Sequence, residues 1–205
     1  MILKTFMREG IMPLSVALIS TLSKDGGVRN IAPYSCIMPI LRPLDLICIA
    51  SATRRDTLIN IRETKEFVVN MVGVDFSDKI VPTAKVAPPE VDEFEVAGLG
   101  EKRSETIRAP GIAGSYAWME CTLFKEYAEP DFVLILGKVL RLEVADEVLN
   151  AAGELNVAKA QPLMMIGSKK GMHFCTLKDI GMFYSFGSMF REGKDPLADR
   201  YLEKE

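Results

Sequence analysis

A mainly β protein, an antiparallel barrel or sandwich with short helical insertions, is the fold class that the sequence predicts. Three observations carry it. Six or more apolar or β-branched runs are separated by turn residues at hairpin spacing, and the helical patterns between them are few and short. No strand is followed regularly by the roughly 10–15-residue helix that repeated βαβ units need. The 205 residues are 48% hydrophobic and 26% charged, the balance of one ordinary globular domain. A chain of that length buries about 70% of its unfolded surface and needs no disulfide or metal staple.

The elements follow in order. Residues 13–22, PLSVALISTL, have no helical period and read as a strand; residues 23–27, SKDGG, tolerate positive φ and read as its turn. The return strand over residues 28–32 is expected to be interrupted by Pro33, which has no N–H for a ladder and so belongs at an edge or bulge. Residues 44–50 form a third strand. Residues 51–57 are a polar loop opening a helix that ends near Thr64, with Asp56 or Thr57 as N-cap and Leu58, Ile59 and Ile61 turned inward.

Residues 66–72 read as a buried strand, and residues 75–85 as a helix broken by Pro82. Pro88 and Pro89, followed by Glu90, Asp92, Glu93 and Glu95, read as a solvated surface excursion. Residues 115–123 and 132–144 are the arms of a long hairpin, the second ending in Leu140, Leu142 and Val144 alternating with Arg141 and Glu143. Residues 148–160 are a short helix, residues 163–167 and 172–176 a last strand pair, and the charged tail after Gly193 is expected to fray. The organisation is thus one domain over residues 1–193 with a tail over residues 194–205.

Composition removes several function classes. Lys and Arg number 25 against 28 Asp and Glu, a net charge of −3, so no global basic field draws in nucleic acid or an anionic membrane. The first residues lack a signal-peptide pattern, and the longest apolar runs fall far short of the ~20 residues that span a bilayer, so a cytoplasmic protein is expected. Cys36, Cys48, Cys121 and Cys175 form no C-x-x-C pair and read as reduced core thiols, with no metal site. The single histidine, His173, reads as a satisfied strand residue; no G-x-S-x-G elbow accompanies it, and no catalytic side chain is assigned. Gly98-Leu99-Gly100 lacks the third glycine of a dinucleotide loop.

Two places stand out. Arg54 and Arg55 lie at the start of the predicted helix, where the macrodipole disfavours cations unless an anion intervenes. Ser51, Thr53 and Thr57 add hydroxyls, and the first-turn amides are free, so the set has the makings of a phosphate cradle. Two solvated arginines partly neutralised by Asp56 are the alternative reading. The second place is Asn30-Ile-Ala-Pro-Tyr-Ser-Cys36, where a proline in a strand followed by small and hydroxyl residues lets backbone groups approach a flat ligand; a plain β-bulge is its alternative.

At these residues the sequence resembles the flavin reductase-like family of FMN-binding split barrels, which includes flavoredoxins. The resemblance runs through Pro13 and Val16 to Thr21, the Asp25-Gly26 turn, Asn30 with Ala32-Pro33 and Ser35, Pro43, Arg55-Asp56-Thr57 with Asn60-Ile61, and Thr64 with Glu66 to Asn70. It continues in Asp92-Glu93-Phe94, Ala97-Gly98-Leu99, Ala109-Pro110 and Glu120-Cys121, and so covers the chain to about Gly167. It implies an antiparallel split β-barrel of Greek-key order, a homodimer, and FMN bound noncovalently near the dimer interface. Carried over by residue, it implies that Asn30, Ala32, Pro33, Tyr34, Ser35 and Cys36 line the isoalloxazine. Ser51, Ala52 and Thr53 then follow the ribityl chain, and Arg54, Arg55, Asp56 and Thr57 hold or cap the phosphate.

One departure matters. Many members that use nicotinamide carry Gly-Asp-His before the long strand near residue 132, where this chain has Glu129-Pro130-Asp131-Phe132. An NAD(P)H:flavin reductase and a flavoredoxin-type carrier fed by a redox protein both stand as expectations, beside FMN binding or storage without NAD(P)H turnover.

Overall fold

The computed structural model describes Ile2, Lys4, residues 10–40 and residues 42–198. Its centre is a curled seven-stranded antiparallel sheet, a split β-barrel. The strands, in chain order, are β2 (Ala17–Leu22), β3 (Arg29–Tyr34), β4 (Ile37–Pro39), β5 (Leu46–Ala52), β6 (Glu66–Met71), β9 (Ala117–Ala128) and β10 (Phe132–Val144). They lie side by side as β3-β2-β6-β9-β10-β5-β4, an order that places β2 beside β6 and β5 beside β10 rather than chain neighbours throughout. A three-stranded sheet pairs β11 (Met164–Ser168) with both β1 (Leu14–Ser15) and β12 (Gly171–Cys175), and β7 (Glu101–Lys102) pairs with β8 (Gly111–Ile112).

Residues on β2 are apolar on both faces because both faces are covered. Ala17 and Ile19 join Ile49, Phe67, Val69 and Ile135 in one cluster, while Val16 and Leu18 join Val72, Phe76, Phe94 and Leu163 in another. Period-2 alternation therefore sends the first half of β2 into apolar surroundings on either face, while the buried hydroxyls of Ser20 and Thr21 donate to the Pro110 carbonyl at 2.5 Å and to Asn30 Oδ1 at 3.2 Å. Helix α1 (Asp56–Thr64) closes the first cluster with Leu58 and Ile61, each stabilising by roughly 1.5–3 kcal/mol through burial. It ends where Lys65 turns left-handed, φ 65°, and donates its N–H to the Ile61 carbonyl. Gly137 on β10 leaves space for the Phe67 ring, whose edge a Cβ there would strike.

The long hairpin, the final strand pair and the end of α1 at Thr64 agree with the sequence reading. Several particulars do not. The N-cap of α1 is Arg55, extended and without a side-chain cap bond because a guanidinium has no acceptor, and Asp56 and Thr57 stand inside the helix as its first two residues. Ile59 is half-exposed, lying off the inner side that Leu58 and Ile61 define. β3 is not interrupted by Pro33 but runs to Tyr34, and Pro33 is accommodated because β3 is the sheet's edge. Residues 148–160 hold only the four-residue helix α4 (Val157–Ala160), which Asn156 caps through its side chain. Pro82 opens rather than breaks a helix: it is third in α2 (Ile80–Ala84), where its missing N–H has no intrahelical acceptor to lose.

The acidic run is a solvated face only in part: Glu90 and Glu95 are exposed, but Asp92 and Glu93 turn inward. Asp92 caps α3 (Glu93–Ala97) by accepting from the Phe94 and Glu95 amides, and Glu93 is buried. Of the four thiols only Cys48 and Cys121 are core; Cys175 is half-buried and Cys36 exposed. His173 lies on β12 opposite Ile166, but its side chain is exposed. In the tail, Asp195 pairs with Arg42 at 2.9 Å, and residues 199–205 lie outside the described residues. Among the described residues no helix is long and apolar enough to cross a membrane.

Candidate functional site

A cleft of about 290 Å³ opens between the edge strand β3, the end of β5 and the start of α1. Both local clusters singled out in the sequence line it. Asn30, Ala32, Pro33, Tyr34, Ser35 and Cys36 come from β3 and its exit, and Ser51, Ala52, Arg54, Arg55, Asp56 and Thr57 from the β5–α1 junction. Thr53 stands outside the lining, half-buried in the same turn. Ser51 and Ala52 continue β5 rather than beginning a loop, and Ala52 pairs with Phe132 of β10. The turn that precedes Phe132 thus sits beside this end of the cleft.

The β3 wall is open because the sheet ends there. The Ile31 N–H, on the side away from β2, donates to Glu93 at 3.4 Å. Pro33, two residues on and so facing the same way, has no N–H to offer. Tyr34 and Ser51 share a hydrogen bond between their hydroxyls at 3.0 Å, which joins β3 to β5 across the cleft floor, and the Ser51 hydroxyl also lies 3.1 Å from the Ala52 carbonyl.

The α1 wall is cationic. With no side chain capping them, the first-turn amides of α1 remain available, and Arg54 and Arg55 beside them are exposed. Neither arginine makes an ion pair with another described residue. The hydroxyl of Thr57, expected to face an anion, is instead buried and donates to Asn30 Oδ1 at 2.9 Å. Asn30 Oδ1 also accepts from Thr21 at 3.2 Å, while its Nδ2 donates to Glu93 Oε2 at 3.0 Å. Burial pushes the Glu93 carboxyl above the usual carboxylate range, against the hydrogen bonds it receives.

The third wall escaped the sequence reading. Thr83, Ala84, Lys85, Val86 and Ala87, at and after the end of α2, line the cleft and add an exposed lysine to the two arginines, and Glu93 completes the lining. A signal for the last was present: Asp92-x-x-Glu95 before Gly98 is a helix start and stop, and it moves Glu93 from a solvated surface excursion to the first turn of a helix.

A flavin mononucleotide matches this donor set in chemistry. The free amides of α1 with Arg54 and Arg55 suit a dianionic phosphate, and the strand edge with its small residues suits a flat ring. A second, wider groove of about 940 Å³ runs between the Gly26–Gly27 turn and residues 103–110, and there two of the three lining arginines are engaged, while Arg103 makes no ion pair among the described residues. Arg29 meets Asp92 at 2.7 Å and Glu101 at 3.1 Å, and Arg108 meets Glu66 at 3.2 Å.

The family model described as "Flavin reductase like domain" matches residues 7–171. A protein of Methanothermobacter thermautotrophicus is 55% identical over 210 residues, covering 100% of this chain and 99% of its own. The crystal structure of nitrilotriacetate monooxygenase component B from Bacillus cereus superposes with a TM-score of 0.75 at 29% identity, covering 85% of this chain and 88% of that one. Flavoredoxin of Desulfovibrio vulgaris (Miyazaki F) reaches a TM-score of 0.79 over 93% of this chain and 100% of its own, a likeness of fold at 15% identity.

Proposed function

The chain belongs to the flavin reductase-like domain family, and from that membership we propose that it is a flavoprotein that holds FMN noncovalently in the β3–α1 cleft and transfers electrons through it. A flavin-related redox function is what the family supports. The choice of FMN rests on one observation above the others: two exposed arginines without a carboxylate partner among the described residues flank the uncapped start of α1. An anion is the natural partner of that arrangement, since it reverses the unfavourable meeting of cations with the positive helix end.

In this reading Arg54, Arg55 and the first-turn amides hold the phosphate, with Asp56 capping its rim. Ser51, Ala52 and Thr53 follow the ribityl chain, and residues from Asn30 to Cys36 line the ring. The bound flavin supplies the hydride and single-electron chemistry, and the protein supplies seat, orientation and electrostatics. No side chain of this chain is needed as acid or base. The network through Asn30 fixes the strand edge, and the Tyr34–Ser51 pair keeps the floor closed to water from below.

The purified protein is then expected to be yellow, or to turn yellow on titration with FMN. Colourless protein that fails to take up FMN overturns the proposal. The electron donor divides two readings, a nicotinamide-using reductase and a flavoredoxin-type carrier served by a redox protein. The carrier is favoured by the turn beside Ala52, which reads Glu129-Pro130-Asp131-Phe132 and holds no histidine, while His173 lies on the other sheet. Stopped-flow mixing with NADH and NADPH separates them: rapid bleaching of the flavin identifies the reductase.

The proposal includes a homodimer. Residues 177–190, beyond the family-matched segment, carry Ile180 at 76%, Phe183 at 84% and Tyr184 at 75% exposure, apolar surface that a second copy would cover. Sedimentation showing a monomer with bound FMN rejects that part alone.

A further inference from the structure

We infer that Glu93 is a positioning residue for the phosphate end of this cleft, acting through Asn30 and Thr57. The inference rests on the proposed seat of FMN. Both hydrogen bonds to Glu93 fall on one oxygen: Oε2 accepts from Asn30 Nδ2 at 3.0 Å and from the Ile31 N–H at 3.4 Å. A primary amide can point either way, and an acceptor-only neighbour selects one orientation. Glu93 therefore draws the Nδ2 of Asn30 toward α3 and turns its Oδ1 toward the two hydroxyls that donate to it, Thr57 at 2.9 Å and Thr21 at 3.2 Å. Thr21 in turn accepts from Asn60 Nδ2, on the second turn of α1, at 3.0 Å.

The consequence is mechanical. Thr57 is the second residue of α1, next to the amides and arginines of the cradle, and Asn30 stands on the strand edge that faces the ring. The chain Glu93–Asn30–Thr57 latches the two ends of the cleft at a fixed separation. All three side chains are at least nine-tenths buried, so none of these bonds can be exchanged cheaply for water. A carboxylate has the wrong sign to attract phosphate. Its presence in this wall is explained by hydrogen-bond acceptance rather than by charge.

The experiment compares FMN with riboflavin, which lacks the phosphate, by fluorescence titration of the full chain and its variants. The ratio of the two dissociation constants isolates the phosphate end from general loss of fold. Glu93→Ala, with the amide of Asn30 freed to turn, is expected to lower the preference for FMN about tenfold, the worth of one well-placed hydrogen bond. Glu93→Gln is expected to keep the preference within about twofold, because its Oε1 can accept both bonds. Thr57→Val, which deletes only the hydroxyl that reports to Asn30, is expected to match Glu93→Ala, and it serves as the reading should Glu93→Ala fail to fold. An unchanged preference in Glu93→Ala or Thr57→Val overturns the inference, as does a loss in Glu93→Gln equal to that in Glu93→Ala. A wild type that binds FMN and riboflavin alike overturns the phosphate cradle itself, and the inference with it.

Discussion

The cleft beside β3 and the wider groove on the other side of α3 are built from the same residue types, arginines beside carboxylates, and they differ in how those charges are spent. In the groove, Arg29 and Arg108 are paired, Arg103 alone of the lining arginines is not, and beneath the lining residues Glu105 and Thr106 the buried Glu120 accepts from their amides at 2.9 Å and 2.6 Å as well as from the Thr106 hydroxyl. Burial opposes the Glu120 charge, yet these donors, with Arg141 nearby, hold its carboxyl below the usual range. In the cleft the balance reverses: Glu93 offers one oxygen to two donors and is pushed up, while Arg54 and Arg55 make no ion pair among the described residues. A cluster of cations marks a binding site only where the fold leaves them unneutralised beside open amides. By that criterion the smaller cavity is the one proposed to hold FMN.

Breaking the comparison at its strongest point means removing the unpaired charges. Arg54→Ala/Arg55→Ala is expected to weaken FMN by about two to four orders of magnitude, from two charge-assisted contacts of ~1.5–3 kcal/mol each. Arg108→Ala, in the groove, is expected to leave FMN affinity within about twofold. Isothermal titration of both decides whether the two regions differ as argued, and a loss of tenfold or less for the double variant counts against the cradle. Lys85 on the third wall is exposed and lines the same cleft as the arginines, so Lys85→Ala is expected to cost FMN about tenfold and riboflavin nothing measurable.

The two buried glutamates sharpen the comparison through pH. Glu120 is depressed in the folded state, so its contribution to stability is complete above the ordinary carboxylate range near about 4.3 and is lost as pH falls through the lower folded value. Chemical denaturation from pH 7 downward should therefore show an acid loss that Glu120→Gln removes, at the cost of lower stability at neutral pH. Glu93 has the opposite sign. Its folded value lies above the ordinary range, so stability falls as pH rises through that interval. Glu93→Gln should flatten this slope, and parallel profiles for the two variants would contradict the contrast between the regions.

Legibility in the sequence followed contact distance along the chain. The β3 exit and the β5–α1 junction each occupy seven consecutive residues, from Asn30 to Cys36 and from Ser51 to Thr57, and their shared cleft could be anticipated once two local oddities were taken together. The third wall could not. Glu93 meets Asn30 across 63 residues, and Lys85 comes to the cleft on a connector whose prolines and charges resemble an ordinary surface loop. The Thr57 hydroxyl was assigned to an anion because only its neighbours in sequence were visible, whereas its partner is on another strand.

What the sequence determined by itself is the strand succession, the end of α1 at Thr64 and the gathering of two arginines at the start of that helix, since turn chemistry, side-chain period and helix ends act over a few residues. The tertiary structure decided which charges stay unpaired, which hydroxyls are consumed and which thiols are covered. Those outcomes depend on which segments meet when β3 becomes the sheet's edge and α3 packs against it, and pairing of that kind is set by burial across the whole molecule rather than by any local pattern.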